Sequence, residues 1–321
     1  MKLLKPDEKL VPYGLRAMKM VAEKADTGLG SSHRTLLDAA QKVLLHTNID
    51  IDTLEPITPI ELAEHFVDEA LQHQLIHGMI VLSLVDNPST KEQTKLISEF
   101  AKAFGVAEPA LDVVSHLANK EMLKFKLDFF RRSHLHDALE NQYKEHGGII
   151  GLAKAILGVK GLVEDKELAK KFHDLGKLPE DTLGYGFYRH YVDHGFPFPG
   201  EKGGFPYSGV YHDFGHVLSG YGVTPEGETL QGCFQAGFRK SENAFFIILF
   251  VVLSFSAGIN VTPVKQEEYH STLVHENIAE EMFHAIQRGS GMNIDLADNW
   301  DFWPYVSMPV EEVRKKFGLI S

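Results

Sequence analysis

Residues 211–228 read YHDFGHVLSGYGVTPEGE, and this stretch decides the fold: two helices joined by a glycine-broken turn. At about 100° per residue, Val210, Phe214, Val217 and Leu218 fall on one stripe and His212 and His216 on the opposite side. Gly220 and Gly222 end that helix. Thr224 then supplies an N-cap and Pro225 a first-turn proline for the next one. So short a connection makes the two helices antiparallel neighbours. His216, about one turn or roughly 6 Å before the break, then stands level with Glu228, about one turn after the restart.

Residues four apart on a helix carry side chains that reach one point, so His212 and His216 form a metal-ligand pair. Glu228 joins them across the hairpin. Asp213 lies on the flank of the pair, as a further ligand, as an outer acceptor that fixes an imidazole tautomer, or as a base acting on bound water. Two neutral imidazoles with one or two carboxylates suit zinc or another divalent transition metal and leave room for water or substrate. The competing reading of the same pattern is a solvated polar face opposite an apolar stripe.

Helical signals recur along the chain. Thr58, Pro59 and Glu61 open one helix, with Ile60, Ala63, Val67, Ala70 and Leu71 following as its stripe. Ser89 and Glu92 form a capping box ahead of Leu96, Ile97, Phe100 and Phe104, and Gly105 supplies the stop. No hairpin signal flanked by alternating residues and no fixed-period repeat is found, which makes the class all-α. The paired glycines Gly147 and Gly148, after a long charged segment, mark a boundary between two helical domains, 1–147 and 148–321.

Residues 244–259, AFFIILFVVLSFSAGI, are apolar on every side but fall short of the roughly 20 residues that span a bilayer. They are expected to form a buried helix, either a central core element or one wall of an apolar ligand cavity, with shallow membrane docking also open.

Composition narrows the function. With 44 acidic against 32 basic residues the formal charge is -12, which repels phosphate backbones and argues against nucleic acid as a partner. Cys233 is the only cysteine, so neither an internal disulfide nor a cysteine zinc cluster is available, and a reducing cytoplasm is the expected location. The first residues, MKLLKPDEKLVPYG, carry charges where a signal peptide needs an apolar core. A rival site sits at His173 and Asp174 in FHDLGKLPEDTLG, residues 172–184. This adjacent pair is similar to the local signature of HD-type phosphohydrolases, though the distant ligands such enzymes need are not identifiable. The competing reading is a polar helix end before Pro179.

The spacing His212, Asp213, His216 and, after eleven intervening residues, Glu228 resembles the signature of the fourth Coq protein family of ubiquinone (coenzyme Q) biosynthesis. Three further segments resemble that family in the same order: KLPEDTLGYGFYRHYVDHGF at 177–196, AIQRGSGMNIDL at 285–296 and MPVEEVRKKFGL at 308–319. Together they cover roughly 148–321. The resemblance implies an all-helical domain in which His212, Asp213, His216 and Glu228 hold a zinc-type ion beside an apolar groove for a prenylated quinone precursor or related lipid. It further implies oxidative decarboxylation of the ring, lyase-type metal chemistry, or a scaffold that organises the other biosynthetic enzymes, peripheral on the inner membrane. Gly215 stands where a bulky residue is expected. In the first half, HGMIVLSLVDNPSTKEQTKLISEFAKAFGV at 77–106 resembles the helical hairpin of tellurite-resistance TerB-like domains. Three function classes follow: a metal-dependent enzyme acting on a prenylated aromatic, a non-catalytic lipid-binding scaffold, and an HD-type hydrolase.

Overall fold

The computed structural model describes residues 1–133, 164–261, 267–298 and 300–319. Among these the chain is all-α, with 14 α-helices and no strands. The first half contributes α1 (Val11–Glu23), α2 (Ser31–Ala39), α3 (Pro59–His65), α4 (Glu69–Ser83), α5 (Lys91–Phe104), α6 (Pro109–Ala118) and α7 (Met122–Arg132). The second contributes α8 (Lys166–Asp174), α9 (Leu183–His194), α10 (Val210–Ser219), α11 (Pro225–Phe238), α12 (Phe245–Phe255), α13 (Ile278–Ser290) and α14 (Val310–Lys316).

The start at Thr58, Pro59 and Glu61 forms as expected, the Thr58 hydroxyl accepting from the Glu61 N–H at 3.1 Å, but the extent of that helix and the start of α5 are revised. The stripe drawn from Ile60 to Leu71 belongs to two helices, because the Asp68 carboxylate accepts from the Leu71 N–H and restarts the chain as α4. Ile60 and Val67, placed in that stripe, are 72% and 82% exposed. The capping box of α5 is Thr90 with Gln93, one residue later than Ser89 with Glu92. The Thr90 hydroxyl accepts from the Gln93 N–H at 3.0 Å and the Gln93 side chain accepts from the Thr90 N–H at 2.9 Å. Gly105 ends α5 at φ +74° as expected, a left-handed conformation that only glycine adopts without strain.

The helix α12 is buried nearly all round, as its sequence requires. It packs on α11 on one side and on α4 and α6 on the other. The His77 ring of α4 stacks flat on Phe245 at 3.7 Å between centroids, and Phe129 of α7 tilts against Phe246 at 6.2 Å. A second bridge joins Lys42 to Glu280 of α13 at 2.7 Å. One hydrophobic core therefore runs through residues of both halves. The boundary assigned to Gly147 and Gly148 lies outside the described residues. No helix among the described residues is long and apolar enough to cross a membrane.

Within the second half, α11 and α13 cross with their backbones almost touching. A Cβ on Gly289 would fall 2.0 Å from the Phe234 carbonyl oxygen. This close crossing fixes α11, and α11 carries Glu228.

Candidate metal centre

The hairpin forms as its sequence dictates. Gly220 caps α10 in the left-handed region at φ +81°, and its N–H donates to the His216 carbonyl at 2.8 Å. Thr224 accepts from the Gly227 N–H at 3.2 Å, and Pro225 opens α11. Val210, Phe214 and Leu218 enter the core, yet the opposite face is largely covered: His216 is only 3% exposed and the His212 side chain 27%. The face carrying the histidines lies against α11.

Three of the four residues selected from sequence converge. His212 Nε2 lies 3.2 Å from His216 Nε2 and 3.3 Å from Glu228 Oε2, and His216 Nε2 lies 3.5 Å from Glu228 Oε1. Ligands about 2.0–2.1 Å from a tetrahedral zinc ion stand roughly 3.3–3.4 Å from one another. The gap between the imidazoles, and the two gaps to Glu228, which end on different carboxylate oxygens, are close to that edge length. Asp213 takes a different partner, accepting a 2.5 Å hydrogen bond from the Tyr191 hydroxyl of α9. Burial raises the pKa of Asp213, and burial together with the Asp213 charge raises that of Tyr191.

The outer partners fix which nitrogens carry protons. His216 Nδ1 faces the Tyr221 carbonyl at 2.9 Å, an acceptor only, so Nδ1 holds the hydrogen. His212 Nδ1 faces Gln235 Oε1 at 3.1 Å, while the Gln235 amide nitrogen donates to the Tyr211 hydroxyl at 3.2 Å. In the neutral imidazoles both Nε2 atoms therefore present lone pairs toward a carboxylate. Three lone-pair donors facing one point repel unless a cation lies among them. In the metal-free protein a proton plays that part. Burial would lower the His212 pKa, but the Glu228 hydrogen bond and charge outweigh it and raise it to about 9. Burial likewise opposes ionisation of Glu228, but the bonds to His212 and His216 hold its carboxyl well below the usual range.

The sequence reading missed three groups. His190 of α9 stacks on His216 at 5.1 Å between centroids, and its Nε2 is buried with no hydrogen-bond partner. Burial, reinforced by the neighbouring imidazoles, pushes its pKa down to about 3, so it stays neutral. The other two are arginines from the segments that resemble the Coq family. Arg288 donates to the Ser219 carbonyl at 3.2 Å and lies over the Tyr221 ring at 5.3 Å. Arg314 donates to the Leu218 carbonyl at 2.8 Å and the Val217 carbonyl at 3.1 Å. Both therefore satisfy the open carbonyls at the C-terminal end of α10, the helix that carries His212 and His216. The third resembling segment also docks here: the Leu183 and Gly184 N–H groups donate to the Met308 and Val306 carbonyls at 2.9 and 2.8 Å, setting α9 beside the site.

His173 and Asp174 lie at the surface. His173 pairs with Glu201 at 2.8 Å and Asp174 with Lys177 at 2.5 Å, so both rival ligands have partners of their own. Among the described residues, two groups bring three metal-type donors together: His212, His216 and Glu228, and a second group in the first half, His73, His77 and Glu108.

No family model, no curated protein and no solved structure matches this chain.

Proposed function

We propose that this protein holds a divalent metal ion of the zinc type at His212, His216 and Glu228, with Asp213 as a buried outer group. On this reading it binds a prenylated quinone precursor or related lipid in ubiquinone-type biosynthesis, acting in the cytoplasm or at the inner membrane face. The observation that carries the metal is the convergence of two imidazole nitrogens and the Glu228 carboxylate within 3.2 to 3.5 Å of one another, each imidazole fixed in tautomer by Tyr221 or Gln235. A bound ion of this type supplies Lewis-acid polarisation of an oxygen on the aromatic head. The chain's own groups orient the donors and, through neutral His190 and the Asp213–Tyr191 pair, surround them with buried polar atoms. The lipid follows from the four ordered resemblances, whose residues meet around α10. A non-catalytic lipid-binding scaffold remains the second reading. The HD-type hydrolase has less support, since His173 and Asp174 are spent on surface ion pairs.

An apolar cavity of about 150 Å³ lies along α12, with Phe245 and Ile248 in one wall. Its other walls come from the first half, with Leu15, Leu36 and His77 among them, and from Met282 and Ile286 of α13, and none of His212, His216 or Glu228 lines it. That volume suits a benzene-sized group. It would take a short apolar end of a ligand, not a long tail with its head at the candidate metal.

Native mass spectrometry with metal analysis of gently purified protein tests the proposal. The expected result is that His216→Ala and Glu228→Ala each lose one equivalent of divalent metal relative to the parent, and that a prenylated aromatic co-purifies. Parent-level metal in both variants would overturn the site. Bound lipid without turnover would select the scaffold reading, and phosphate release abolished by His173→Ala would select the hydrolase.

A further inference from the structure

We propose that His73, His77 and Glu108 form a second divalent-cation site of the zinc class, tying α4 to the start of α6 beside the apolar cavity. His73 and His77 stand four apart on α4, so their rings share a face. Glu108 is the N-cap of α6, and its Oε1 accepts from the Ala110 N–H at 3.2 Å. That bond aims the other oxygen, Oε2, at both imidazoles: His73 Nδ1 lies 3.1 Å away and His77 Nε2 2.8 Å away. One donor atom from each residue lies within 4.8 Å of the other two. Two imidazole nitrogens and one carboxylate oxygen are a zinc-type donor set with a position left for water.

The surroundings fit a cation. The Glu108 side chain is only 6% exposed, so its charge needs a positive partner at the site. The side chains of His73 and His77, at 33% and 20% exposed, leave an entry path from solvent. His77 is held flat against Phe245, and both residues line the cavity. An ion here fixes the imidazole that forms part of the cavity wall, and joins two helices of the first half where they meet α12.

The test is a cobalt titration of the full chain, read by the visible absorption of nitrogen-coordinated Co2+ and by native mass spectrometry. In a chain carrying His212→Ala and His216→Ala, one equivalent is expected to remain. Adding His73→Ala or Glu108→Gln should weaken it by roughly 100-fold or more, beyond the loss that an outer-shell change produces. Single changes in the parent chain give an independent count that does not require the multiple variant to fold: His73→Ala should lower two equivalents to one. Helicity by circular dichroism checks the fold of each variant. One equivalent in the parent, lost with His212→Ala and kept with His73→Ala, would overturn the second site. One equivalent lost only with His73→Ala would uphold it while overturning the metal at His212. No bound cobalt at all would show that His73, His77 and Glu108 are a hydrogen-bonded clamp, and would overturn the proposal.

Discussion

Gly215 of α10 lies directly against Gln231 of α11: a Cβ at position 215 would fall 2.2 Å from Gln231 Nε2. Gln231 is wholly buried and joins the two helices, donating to the His212 carbonyl at 3.3 Å and accepting from the Ser219 hydroxyl at 2.8 Å. A bulky residue at 215 is excluded by this amide, which gives a local reason for the glycine. Gly215→Ala is therefore expected to destabilise the fold by about 1–3 kcal/mol through overpacking. In the double variant Gly215→Ala with Gln231→Ala the methyl group finds room, so the two costs should sum to more than the measured loss. Chemical denaturation of the four proteins gives the coupling, and strictly additive losses would show that the two residues do not clash.

Gln235 orients His212 from outside the ligand group, through Nδ1 at 3.1 Å. Gln235→Leu keeps the side-chain size but removes the acceptor, so the imidazole loses its fixed tautomer and ring direction. The expected effect is about 10–100-fold weaker metal binding with helicity unchanged. A zinc titration against a competing chelator measures it. Parent affinity in Gln235→Leu would mean that His212 is not a ligand.

The hairpin itself was legible because its signals are local. Gly220, Thr224 and Pro225 act within one turn, and each takes the helix-end position expected of it, while the four-residue spacing sets His212 and His216 on one face. What local patterns could not supply was the environment of those residues. Gln235 reaches His212 across 23 positions, Arg288 reaches Ser219 across 69 and Arg314 reaches Leu218 across 96. For Asp213 the sequence left ligand, outer acceptor and base all open, and its partner Tyr191 comes from α9, 22 positions away. His190 carried a faint signal, an i,i+4 pair with His194, in a segment read only for its resemblance. The restart at Asp68 was missed because hydrophobic periodicity runs across a break when apolar residues sit exposed on both sides. His73 and His77 showed the same spacing as His212 and His216. They went unread because Glu108 lies 31 residues from His77, past the intervening helix α5.

The titrations around the candidate centre predict a pH profile for the metal-free protein. Glu228 has a depressed pKa, so its contribution is present above its ordinary value of 4.5 and is lost as pH falls. His190 is held near 3 against an ordinary 6.5, so the unfolded chain binds a proton that the folded chain refuses and stability also drops below pH 6.5. His212 acts on the other side. Its pKa is raised to about 9, so its contribution is full below pH 6.5 and disappears as pH rises through 9. Thermal midpoints in chelator should therefore be highest near pH 6.5 and fall in both directions. With saturating zinc the alkaline fall should be absent up to pH 9, because the metal holds the imidazole deprotonated. A midpoint in chelator that stays level from pH 6.5 to 10 would remove the His212–Glu228 pair from the account.

The cavity along α12 has room for a larger side chain. Ile248 is 3% exposed and lines it together with Phe245, so a larger side chain at 248 can grow into the cavity. About 150 Å³ is available, more than the increase from isoleucine to phenylalanine requires. Ile248→Phe should therefore leave stability unchanged or raise it by about 0.5–2 kcal/mol, as cavity-filling changes do. The reverse change, Ile248→Ala, enlarges the void and should cost about 2–5 kcal/mol. Ligand binding separates a functional cavity from a packing defect. If the cavity holds the apolar end of a ligand, a short isoprenoid alcohol should bind the parent and lose its site in Ile248→Phe, while metal content at His212 and His216 stays at the parent level. The two sites share no wall residue, so a loss of metal in this variant would reveal a coupling between them. Equal isoprenoid binding by parent and Ile248→Phe would show that the cavity is not where the apolar group sits.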